Sequence, residues 1–190
     1  MPLWQPTPPE GASEYSHRII RTPAAAAIKA IATSVDPCGC TTHFLNNRTT
    51  PCEGQGNCEA CRLGFSGRWH GYLGALLADT LEHVIFEYTA CAASTFANYY
   101  EHHKTLRMCA FRAIRPSGRA NGRVVIQTHT ADAQKWRLPD PPDLMLVLCH
   151  VWGIATKNVT PSRNNRVPPP DLKVAPDPGD GRNRATQHRK

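Results

Sequence analysis

The chain lacks the marks of several large functional classes. Its N-terminal stretch, MPLWQPTPPEGASEYSHRII, has no basic segment followed by an apolar one, so no secretory leader is expected. A membrane-spanning helix needs roughly 20 apolar residues. The longest apolar run, LMLVLCHVWGI at 144–154, is well short of that. Gly-rich phosphate loops and serine elbows are missing, which removes the usual signatures of nucleotide hydrolysis and serine-nucleophile chemistry. Zinc deaminases need His-x-Glu and Pro-Cys-x-x-Cys; here His43 is followed by Phe44 and Leu45, and the Cys58-x2-Cys61 pair is preceded by Gly56 and Asn57. The EHHK run at 101–104 falls on an expected helix, where consecutive side chains diverge and do not act together. A soluble, cytoplasmic, non-catalytic protein with no membrane association is the expectation.

Negative charge is also scarce where it would matter. There are 22 Lys and Arg against 15 Asp and Glu, giving +7 and a pI near 9.1. Between Lys104 and Asp132 there is no acidic residue, while Arg107, Arg112, Arg115, Arg119 and Arg123 all fall there. A cationic balance of this kind attracts polyanions, nucleic acid first.

What the chain does have in excess is proline, 17 in 190 residues, too many to place inside regular elements. Five of them, Pro2, Pro6, Pro8, Pro9 and Pro23, mark residues 1–23 as a disordered arm. Residues 156–190 form a second such segment, basic and Pro-rich. The remaining stretch, 24–155, has the length of one domain.

Within that domain, Ile28 to Val35 reads as a strand, 68–78 as a buried strand, and 82–90 as its hairpin partner, with Val84, Phe86 and Tyr88 on one face. Residues 91–106 place Ala92, Phe96, Tyr99, His103 and Leu106 at helical spacing, with Thr89 available as N-cap. Two further strand-like runs, LRMCAFRAI and RVVIQTHT, are joined by a loop containing the turn pair Asn121-Gly122. A last apolar helix opens at Pro-Pro-Asp and stops at Gly153. Five strands with a helix between the third and fourth is the pattern of the OB-fold, a partly open Greek-key barrel. The expected class is therefore mainly β, an OB-like barrel with a long insert after its first strand.

That insert, HFLNNRTTPCEGQGNCEAC, carries the clearest chemistry. Cys58-x2-Cys61 lets a tight turn present two thiolates to one tetrahedral ion. Cys52 lies upstream with Gly54 and Gly56 between, so the backbone can fold back and add a third sulfur. His43 supplies a fourth ligand, and four protein ligands close the shell, the mark of a structural Zn2+. Cys40, in DPCGCTTHF, is the rival to His43. Cys91, Cys109 and Cys149 stand alone in apolar elements and read as buried thiols.

A histidine, then Pro-Cys, then Cys-x-x-Cys ahead of the aromatic strand RWHGYL resembles the zinc-containing OB-fold single-stranded DNA-binding proteins of tailed phages, of the T-even helix-destabilising type. The resemblance spans about residues 28–130 and rests on THF, RTTPCEG, CEAC and RWHGYL. It implies zinc on His43, Cys52, Cys58 and Cys61, and single-stranded DNA in the barrel cleft. Replicative members of that kind end in an acidic tail, whereas this chain ends in GRNRATQHRK, which fits a mobile element or a nucleoprotein complex.

The expected nucleic-acid track comprises Arg68, Arg107, Arg112, Arg115, Arg119 and Arg123, with Trp69 and Tyr72 as stacking surfaces. Since Trp69 and Tyr72 differ in strand parity, one of them is expected to face outward. Phe86, Tyr88 and Phe111 are further stacking candidates. The alternative is a zinc-knuckle adaptor docking a protein partner through 144–154 or the tails.

Overall fold

The computed structural model describes residues 17–54 and 56–154. Its elements are β1 (Ile19–Arg21), β2 (Ile28–Ala32), β3 (Cys38–Leu45), β4 (Arg48–Pro51), α1 (Glu59–Arg62), β5 (Arg68–Leu77), β6 (His83–Thr89), α2 (Ala90–His103), β7 (Cys109–Ile114), β8 (Val125–Thr130) and α3 (Leu144–Trp152). The fold is mainly β. One mixed sheet runs β1-β6-β5-β2-β7-β8, with β3 pairing to β5 and β4 to β3. Strands β2, β5 and β6 follow one another antiparallel, and β7 returns through α2 to lie against β2. This is the Greek-key order, fourth-first-second-third. Strand β8 then pairs with β7, and β1 adds itself parallel to β6.

The sheet has eight strands where the sequence predicts five. Two of the additional ones are the β3–β4 hairpin, which occupies much of the insert. Its turn is Asn46-Asn47, with φ of 50° and 60°, the paired left-handed geometry of a type I′ hairpin. The third is β1, which falls inside the stretch expected to be a disordered arm; its register sets Ile19, Ile20 and Arg21 against Ile85, Phe86 and Glu87. Residues 1–16 and 155–190, including most of the expected arm and the whole basic tail, lie outside the described residues.

Strand β2 ends at Ala32, short of Val35. Thr33 donates its backbone N–H to the Gly74 carbonyl at 2.8 Å, and Ser34 Oγ accepts from the Gly74 N–H at 2.8 Å. The chain kinks through Asp36-Pro37 and resumes as β3 along the same strand, so β5 pairs with β2 at one end and β3 at the other. Helix α2 stops at His103 because Lys104 takes a left-handed conformation, φ 57°, and Leu106 turns back into the core. Helix α3 behaves as the sequence predicts: Asp143 caps its start by accepting from the Leu146 N–H, and left-handed Gly153 closes its end.

Both faces of β5 and β6 are covered. On one, Val84, Phe86 and Tyr88 pack with Leu73, Phe111 and the inner side of α2, through Ala92, Phe96 and Tyr99. On the other, α3 lays Leu144, Val147 and Leu148 over Tyr72 and Ile85. No helix among the described residues is long and apolar enough to cross a membrane.

Double coverage makes β5 intolerant of added volume. Gly71 pairs with Tyr88, whose ring lies where a Cβ would stand. Gly71→Ala is expected to cost about 1–3 kcal/mol through overpacking. Equilibrium urea denaturation reads it, and an unchanged midpoint would contradict the tight seat of Tyr88.

Candidate metal centre and the basic surface

The β3–β4 register determines which side chains of the insert meet. Thr42 pairs with Pro51, His43 with Thr50, and Cys52 donates its backbone N–H to the Thr41 carbonyl at 2.8 Å. Side chains two apart share a face. His43 and Cys52 are therefore diagonal neighbours on one face, while Cys38, Cys40 and Thr42 point to the other. Past Cys52 the chain reverses at Gly54, φ 91°, whose carbonyl accepts from the Asn57 and Cys58 N–H groups. Cys58 caps α1, and Cys61 lies in its only turn.

These pieces bring the His43, Cys52, Cys58 and Cys61 ligand atoms to within 4.8 Å of one another. Cys52 Sγ lies 3.5 Å from Cys61 Sγ, and Cys61 Sγ lies 3.4 Å from His43 Nε2. Zn–S bonds of about 2.3 Å and Zn–N bonds of about 2.0–2.1 Å at tetrahedral angles put sulfurs about 3.8 Å apart and sulfur and nitrogen about 3.6 Å apart. The separations of 3.5 and 3.4 Å are close to those edges, so the four residues fit a divalent metal of zinc's size and softness.

The electrostatics agree with that fit. Backbone N–H groups of Cys61 and Glu53 hold the Cys58 thiol below its ordinary value, favouring thiolate. The Cys61 thiol is pushed up to about 11, first by its hydrogen bond with Cys52 and then by burial. Crowded sulfurs resist becoming anions together unless a cation sits among them. His43 is 3% exposed, and its Nδ1 has no partner among the described residues. Coordination of a metal through Nε2 would offset part of the cost of burying the ring. Gly67 packs against this ring, where a Cβ would stand 3.2 Å from His43 Cε1.

Cys40 is set apart from the group. It faces α3 with Cys38 and packs against the second core cluster. Burial first, and then Cys38, pushes its thiol up to about 12. Strand parity thus answers what spacing left open between His43 and Cys40.

No family model, curated protein or solved structure matches the chain. Fold and geometry alone carry its reading.

The basic residues fall into two groups. Arg107 donates to the carbonyls of Thr33, Pro139 and Leu138, tying the 131–143 segment onto the sheet. Arg115 donates to the Thr22 carbonyl at 2.8 Å and to that of Gly122. These two arginines brace the fold, contrary to the expectation that each lies along a track. By contrast, Arg68, Arg112, Arg119 and Arg123 are exposed, and among the described residues none has an ion-pair partner. Arg112 stands beside exposed Lys29 in the β2–β7 register and beside exposed Gln127 in the β7–β8 register.

The expected stacking surfaces require correction. Tyr72 is 1% exposed beneath α3, and Phe86, Tyr88 and Phe111 lie in the core. Trp69 is half-buried, edge-on to Tyr88 with ring centroids 5.9 Å apart. Opposite parity sends Trp69 and Tyr72 to opposite faces, but each face is capped, so neither is presented outward. Among the described residues the exposed aromatics are Phe44 and Phe65, both near the candidate metal ligands in the chain and neither singled out by the sequence pattern. The Asn-Asn turn is the available signal for Phe44, since a hairpin there puts its ring opposite His43 on the strand. In the expected partner-docking segment at 144–154, Leu144, Val147, Leu148 and Cys149 are buried, while Met145, Val151 and Ile154 are exposed.

His43→Ala is expected to lower the metal content of purified protein well below one Zn2+ per chain and to lower Tm, whereas Cys40→Ser keeps the metal. Metal analysis by plasma emission and a melting curve decide it. Full occupancy with an unchanged Tm in His43→Ala would return the assignment to Cys40.

Proposed function

We propose that the chain is a non-catalytic, zinc-stabilised binder of single-stranded nucleic acid, DNA in the first instance, built on an OB-like barrel left open along one seam. The carrying observation is the set of exposed cations on β7 and the β7–β8 connection that have no ion-pair partner among the described residues: Arg112, Arg119 and Arg123, with Lys29 adjacent in register. Phosphate tracking needs positive charge not already neutralised by protein carboxylates. The Greek-key order and the helix between the third and fourth principal strands support the barrel reading. Strand β1 lies parallel on the outer edge of β6, where closure would otherwise draw that edge toward β8.

In this account the metal is structural. Four protein ligands leave no open coordination position for water or substrate, and the exposed rings of Phe44 and Phe65, with exposed Arg48, Arg62 and Arg68 within four residues of one or the other along the chain, offer surfaces for bases and phosphates. A tethering role for mobile-element or nucleoprotein assembly fits the basic C-terminal sequence.

Fluorescence anisotropy of a labelled oligo-dT, titrated at several salt concentrations, tests this reading. Affinity should fall log-linearly with salt, and replacing Arg112, Arg119 and Arg123 with Gln should flatten the slope by about 0.7 for each phosphate that is no longer neutralised. Absence of binding at low salt would reject the function.

A further inference from the structure

The β3–β4 hairpin, β1 and the C-terminal end of α3 enclose a cleft of about 760 Å³, and a second of about 740 Å³ adjoins it over the metal knuckle. Each falls in the size range of small-molecule sites. Arg48, Thr50 and Trp152 line both, so the two clefts share a wall carrying one cation, one hydroxyl and one indole.

The first cleft has an unusual floor. Tyr72 is 1% exposed, and among the described residues its hydroxyl has no hydrogen-bond partner. A buried phenol without a partner loses its hydration for nothing in return. The neighbouring Glu87 is held by Arg21, at 2.7 and 2.9 Å, and makes no hydrogen bond with the phenol. Burial, reinforced by the Glu87 charge, pushes the phenol far above its ordinary value, so it stays protonated and able to donate. Trp152 stands edge-on to it, ring centroids 5.8 Å apart.

We propose that these two clefts hold successive unstacked nucleotides of a single strand, with Trp152 as the stacking wall between them, Arg48 on the intervening phosphate, and the Tyr72 hydroxyl donating to an acceptor on the nucleotide in the first cleft. The proposal rests on the single-strand reading above and assigns it a base-holding site distinct from the β7–β8 cations. A base supplies a π-face and ring acceptors, and its phosphate supplies the anion, which matches the indole, the phenol and the guanidinium in kind. The clefts depend on the hairpin that the metal ligands pin, which couples metal loading to this site.

The test uses the full chain loaded with Zn2+ and a labelled dT 12-mer, followed by anisotropy and by intrinsic tryptophan emission. Binding should quench emission in the wild type, and in Trp152→Phe that quench should largely vanish. Tyr72→Phe should weaken binding about three- to tenfold, the scale of one buried hydrogen bond, while leaving urea stability equal or slightly higher because an unpartnered hydroxyl has gone. Arg48→Gln should weaken binding and lower the salt slope. If the 12-mer binds but Tyr72→Phe and Arg48→Gln match the wild type, the cleft assignment is overturned and the single-strand reading stands. If no variant and no wild-type protein binds the 12-mer at low salt, the single-strand reading fails and the cleft assignment falls with it.

Discussion

Everything distinctive about this protein depends on the register of one short hairpin. Pairing His43 with Thr50 places His43 and Cys52 on the same face, and the reversal at Gly54 returns the chain so that Cys58 and Cys61 meet them. A shift of one residue would send His43 to the opposite face and bring Cys40 and Thr42 round in its place. A short β-hairpin is marginal by itself in water. Here β3 is paired to β5 along one edge, and the four ligands offer a cross-link to α1 at the other end. Metal binding of this kind contributes directly to folding free energy, because the unfolded chain has no preformed site.

The second organising feature is burial on both faces of β5 and β6. Most antiparallel sheets keep one face wet and show it by strict alternation of polar and apolar residues. In this chain β6 reads His-Val-Ile-Phe-Glu-Tyr-Thr, and its five central residues are all buried. Glu87 is tolerated there because Arg21 of β1 pairs with it on two oxygens. Strand β1 therefore does two things, covering the β6 edge and neutralising the one carboxylate in the sheet interior.

Much of this is legible in the sequence. The principal strands, both longer helices, the caps at Asp143 and Gly153 and the three cysteines of the candidate metal centre follow from periodicity, turn residues and spacing, whereas spacing leaves His43 and Cys40 as rivals for the fourth position. What is not legible has a common cause: periodicity tells which residues share a face but not what covers that face. The outward aromatic expected from the parity of Trp69 and Tyr72 fails because α3, far along the chain, closes over Tyr72. Arg107 and Arg115 read as free cations because their partners are carbonyls, which leave no trace in side-chain patterning. The β3–β4 hairpin escapes notice because Asn-Asn is a weaker turn signal than Asn-Gly, though both residues accept left-handed backbone.

The central claim is that three sulfurs and one imidazole hold a single Zn2+ and thereby fix the hairpin. X-ray absorption at the zinc edge on the purified, stoichiometrically loaded protein tests it most directly. The account predicts three sulfur scatterers at about 2.3 Å and one nitrogen at about 2.0–2.1 Å, with the multiple scattering of an imidazole ring. A four-sulfur shell, or one dominated by light atoms, would contradict it.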